Sequence, residues 1–98
     1  MLHIINKSPL SNSTLESCLR VAEGGDILLT EDAVYAATSG NAFEAKLLEA
    51  MGRFKFYVLQ PDLEARGLAA KLIAGVSPVE HGGFVDLTIS NSACQSWL

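Results

Sequence analysis

Three short apolar runs, within Leu2–Asn6, Asp26–Thr30 and Phe54–Leu59, punctuate the chain, and between them the apolar residues change to helical spacing. The middle run, Ile27-Leu28-Leu29, has no polar position, so it needs cover on both faces, as strands of parallel sheets do. The alternation of such strands with short helices predicts an α/β fold, with a parallel or mostly parallel sheet, helices on both faces and right-handed crossovers. With 98 residues, one small core and one domain, residues 1–98, exhaust the chain.

The first strand ends before the turn-forming Ser8-Pro9. Ser13 with Glu16 has the spacing of a capping box, and Leu15, Cys18, Leu19 and Ala22 then follow at helical spacing until Gly24-Gly25. Glu16 and Arg20 form an i,i+4 pair on the outer face of this helix. After the second strand, Glu31–Ala37 reads as a short helical turn started by Asp32, and Ala42–Met51 as a longer helix with Phe43, Leu47, Leu48 and Met51 on one face. Phe54–Leu59 is rich in aromatic and β-branched residues and is expected at the centre of the sheet. Pro61-Asp62 then opens a helix that Gly67 closes. Beyond it the pattern predicts a short helix in 68–74, a brief strand at 76–79 and a turn at His81-Gly82-Gly83. Last come a helix carrying Phe84, Leu87 and Thr88 and an edge strand in 93–98.

Charge narrows the function classes. Seven Lys and Arg against eleven Asp and Glu leave a net charge of −4, and the basic residues are scattered, so direct nucleic-acid or anionic-membrane binding is not expected. The apolar runs are far shorter than the roughly 20 residues of a membrane-spanning helix, and the opening residues lack the order of a secretory signal, so a cytoplasmic location is expected. Neither GxGxxG nor GxxxxGK[ST] is present, and no cofactor is expected. The composition is 49% apolar and only 18% charged, more apolar material than so small a core can hide, which points to a protein interface.

The residues able to carry chemistry are few. His3 lies in an apolar strand, as a structural histidine would, and His81 precedes two glycines. Asp32 and Asp62 both follow strands and could act as acid or base, but an N-cap role accounts for both without a substrate. Cys18 is the sharpest candidate, since a thiolate is the one kind of nucleophile here able to carry sulfur as a persulfide, yet it shares a stripe with Leu15, Leu19 and Ala22, where cysteine acts as a small hydrophobe. Cys94 sits in a polar tail, too far in sequence from Cys18 for a CxxC motif, and both are expected as free thiols. Trp97 either folds back on the core or anchors a partner, and Phe84 belongs to the helix expected at the same interface.

Four segments in order resemble the TusB/DsrH family: Met1-Leu2-His3 with Ser8-Pro9, the stretch Leu28–Ala37, the stretch Tyr57–Leu68, and Phe84–Thr88 with Trp97. The resemblance covers essentially the whole chain. It implies a three-layer DsrE-like fold and a place in a sulfur-relay complex, with two paralogous subunits of the TusC/DsrF and TusD/DsrE types in a dimer of heterotrimers. Sulfur would pass as a cysteine persulfide, principally on the TusD/DsrE-type partner, to a TusE/DsrC-like acceptor. TusB members serve 2-thiouridine formation at the tRNA wobble position, and DsrH members serve dissimilatory sulfur oxidation. Cys18, in Glu16-Ser17-Cys18-Leu19-Arg20, matches a cysteine of DsrH-type and some TusB-type proteins. The resemblance implies an accessory subunit; a stand-alone α/β binding module and a thiol enzyme acting through Cys18 are the other readings.

Overall fold

The computed structural model describes residues 1–97; Leu98, the end of the expected tail strand, lies outside them. The strands are β1 (Leu2–Ile5), β2 (Gly25–Leu29), β3 (Phe54–Leu59), β4 (Ser77–Val79) and β5 (Cys94–Trp97). The helices are α1 (Thr14–Val21), α2 (Glu44–Ala50), α3 (Gln60–Ala65) and α4 (His81–Ser90), with 3₁₀ segments at Glu31–Ala37 and Ala69–Lys71. The five strands form one sheet in the order β4-β3-β2-β1-β5, every neighbouring pair parallel.

This order divides the helices. From β1 to β4 the chain steps in one direction, and right-handed crossovers place α1, α2, α3 and the 3₁₀ segments on one face. From β4 to β5 it returns past the whole sheet, so α4 falls on the other. The packing agrees. Ile5, Ile27, Leu29, Phe56 and Val58 bury against Leu15, Cys18, Leu47 and Leu63, whereas Leu2 and Leu28 bury against Leu87, with Ile4, Tyr57 and Phe84 around them. The molecule has three layers, with a thick core on one side of the sheet and a thin one on the other.

The predicted third strand forms over the residues expected, but β2, not β3, is the central strand. The direction of each crossover sets strand order; β3's aromatic content reports the volume it fills in the core. The Ser13–Glu16 capping box does not form: Ser13 makes no side-chain cap bond, Asn12 Oδ1 accepts the Thr14 N–H at 2.8 Å, and Glu16 turns to Lys46 instead of Arg20. The expected turn at His81-Gly82-Gly83 is already helix. At Gly83 a Cβ would lie 2.8 Å from Val79 Cβ, so glycine lets the first turn of α4 seat directly on β4. Gly25 opens β2 with φ +118° beside Met1, whose carbonyl accepts the Asp26 N–H at 3.1 Å.

Candidate functional site

Cys18 is fully buried in the inner face of α1, within the main core. Burial pushes its thiol up to about 11, the opposite of what a sulfur-accepting thiolate needs. Cys94 is exposed at the start of β5. The two thiols are separate and free, as their spacing implies.

At the carboxyl ends of β2 and β3, where open α/β sheets bind ligands, the side chains are tied to one another. Asp62, in the first turn of α3, accepts the backbone N–H of Glu31 at 2.7 Å. Arg66 reaches from the end of α3 to Asp32 with both Nε and Nη2 at 3.0 Å and donates through Nη1 to the Asp62 carbonyl at 3.0 Å. The N-cap roles expected from the sequence do not form, since neither aspartate caps its own helix; together they brace two crossovers against each other. Arg66, the residue that joins them, gives no local signal in the sequence.

A cleft of about 380 Å³ lies between α1 and α2, lined by Glu16, Arg20, Lys46, Glu49 and Arg53 over Leu19. Its charges are largely spoken for. Lys46 pairs with Glu16, which holds that carboxyl below its usual range. Arg53 donates to the Leu19 and Ala22 carbonyls at 3.0 and 3.3 Å, satisfying the end of α1, while its guanidinium stacks over Phe54 at 5.0 Å. With Glu16 and Glu49 set among Arg20, Lys46 and Arg53, and two of those three cations already engaged, the cleft is poorly made for a phosphate. Among the described residues no cluster of three His, Cys, Asp or Glu side chains could hold a metal, and no helix is long and apolar enough to cross a membrane.

Trp97 folds back against the main core, and its indole N–H donates to His3 Nδ1 at 3.1 Å. His81 is exposed at the first residue of α4. Phe84 lies half-buried under α4 with Leu87, on the sheet's thinner side. Asn91, on the same side of the helix, donates to the Leu87 carbonyl and to Asp26 at 2.9 and 3.1 Å. One turn apart on a different stripe, Val85 and Ile89 stand 53% and 76% exposed. The helix is thus apolar on its inner side and again toward solvent. A helix apolar on both sides is characteristic of a buried one.

The family model described as DsrH like protein matches residues 7–94. Protein TusB of Shigella flexneri is 34% identical over 97 residues, 99% of this chain and 100% of that protein. Protein TusB of Escherichia coli O1:K1 / APEC matches at the same identity and coverage. Among solved structures the fold is similar to that of the ychN protein from E. coli, with a TM-score of 0.81 at 20% identity over 98% of this chain and 97% of that one. MTH1491 from Methanobacterium thermoautotrophicum gives 0.70 at 18% identity over 97% and 95%. The chain belongs to the TusB/DsrH family.

Proposed function

We propose that this chain is an accessory subunit of a cytoplasmic sulfur-relay complex serving 2-thiolation of wobble uridine in tRNA. It assembles with paralogous subunits of the TusC/DsrF and TusD/DsrE types as a dimer of heterotrimers, and the complex hands persulfide sulfur to a TusE/DsrC-like acceptor. The observation that carries the reading is the 34% identity with proteins named TusB across all of their length. Two features of the chain support the accessory role. Cys18 is sealed in the core and its thiol proton is held tightly, which supports a sulfur-bearing cysteine on a partner rather than at Cys18. The outer stripe of α4, Val85 and Ile89 beside Phe84, supplies the apolar surface that a partner covers, with the exposed part of Trp97 as a second contact. The subunit meets proteins, and its net charge of −4 keeps it off the RNA itself.

Co-expression of the tagged chain with its two sister subunits tests the assembly: a stable complex of all three is expected, and a chain that elutes alone overturns it. Deletion of the gene separates the pathways. Loss of 2-thiouridine from tRNA is the expected result; intact 2-thiouridine with impaired sulfur oxidation replaces the tRNA role with the DsrH-type one.

A further inference from the structure

We propose that the His3 imidazole and the Trp97 indole form a pH-sensitive latch, which holds the end of β5 on β1 while His3 is neutral and opens when it takes a proton. The proposal rests on donor and acceptor chemistry. Nδ1 of His3 accepts the Trp97 indole N–H at 3.1 Å, and an indole nitrogen can only donate, so Nδ1 must be bare for the bond to exist. The Gly24 backbone favours the protonated ring, but less than burial and the Met1 amino group disfavour it. Protonation would set two N–H donors against each other and end the contact with Trp97.

The surroundings give an imidazolium little to rest on. His3 is 4% exposed and lies edge-on to Phe54 at 6.3 Å and tilted against Trp97 at 6.1 Å. Burial lowers the proton affinity of His3 most, and the Met1 amino group just ahead of β1 lowers it further. Beside it β2 presents Ile27, β5 presents Gln95 and Trp97, and α1 presents the apolar Leu15, Cys18 and Leu19. The acidic groups of these elements point elsewhere: Asp26 lies on the opposite face of the sheet, Glu16 pairs with Lys46, and Glu23 is exposed. The cation next to Phe54 is Arg53, committed to the carbonyls that end α1. A proton on His3 is therefore hydrated only if the indole moves away.

β5 is the strand best able to yield. It is four residues long, pairs with β1 alone, and is exposed at Cys94, Gln95 and Ser96. Trp97 is its one side chain packed on the main core. The latch is independent of the sulfur-relay reading.

Trp97 is the chain's single tryptophan, so its emission reports the latch directly. In the full-length chain, lowering the pH from 7.5 to 5 is expected to red-shift the emission maximum reversibly, with a midpoint below 6.5 and before far-UV circular dichroism changes. Over the same range hydrogen-exchange protection of residues 93–97 should fall as the latch opens. His3→Asn keeps an acceptor near the Nδ1 position and cannot titrate; both changes should vanish in it. Trp97→Phe keeps the ring and removes the donor, and the His3 pKa read by NMR should rise toward 6.5. A pH-independent emission maximum and protection in the native chain, the same loss in His3→Asn, or an unmoved His3 pKa in Trp97→Phe each overturns the latch.

Discussion

The Asp62 carboxylate accepts the backbone N–H of Glu31 at 2.7 Å, and Glu31 is the one non-glycine residue among those described whose φ is positive, +50°. A left-handed conformation costs an L-residue about 1–2 kcal/mol, and here a side chain from the next crossover holds it. Asp62→Ala should cost about 1 kcal/mol, read as a lower urea midpoint at unchanged slope. Glu31→Gly in the same background should recover part of the loss.

Cys18 and Cys94 should separate cleanly by reactivity. A thiol pushed up to about 11 presents about one thiolate in a thousand at pH 8, before burial further blocks the reagent. Iodoacetamide should label Cys94 in the native chain and reach Cys18 only on unfolding, as mass spectrometry of the alkylated peptides will show. Cys18→Ser places a hydroxyl in an apolar setting and should cost about 1–3 kcal/mol.

Gly25→Ala tests the close approach at the start of the sheet. A Cβ there would meet the Met1 carbonyl oxygen at 2.5 Å, at a φ of +118° that L side chains avoid. Loss of about 2 kcal/mol or more is expected in a denaturant titration, with β1–β2 pairing the element affected.

Ile89→Glu and Val85→Lys probe the outer stripe of α4. Both positions are exposed, so chain stability should stay within about 0.5 kcal/mol of the parent, while affinity for the sister subunits falls tenfold or more in a binding titration. Equal affinity for parent and variants would move the interface off α4.

Acid should weaken the fold through His3. Its proton affinity is lowered in the folded chain, so the unfolded chain binds the proton more readily below pH 6.5. The contribution is fully present above 6.5 and is lost as pH falls toward the folded-state value. Urea midpoints measured at pH 7.5 and 5.5 should differ more in the parent than in His3→Asn.

The sequence made local elements legible where their boundaries are chemical. Phe54–Leu59 lies between Gly52 and Pro61, and the strand begins and ends where its composition changes. The apolar stripe of α1 correctly placed Leu15, Cys18 and Leu19 inward, and with them the buried state of the thiol. Relationships across the chain were not legible. Arg66 meets Asp32 across 34 positions and Trp97 meets His3 across 94, and neither pair shares a motif or a period. Glu16 had a plausible partner four residues away, but Lys46 on the neighbouring helix took it once the two helices packed. Strand order, too, follows from where the chain turns back, a choice distributed over the whole fold.

The register Leu2↔Cys94 gives the sheet an order of assembly. β1, β2 and β3 can pair as the crossovers between them form, but β5 must close a loop that spans nearly all of the described chain. Long-range pairing is entropically late, so the outer edge of β1 stays bare in the half-built sheet. A bare edge accepts any strand of suitable pattern, including β5 of another copy. The pairing of β5 with β1 therefore also serves to close that edge.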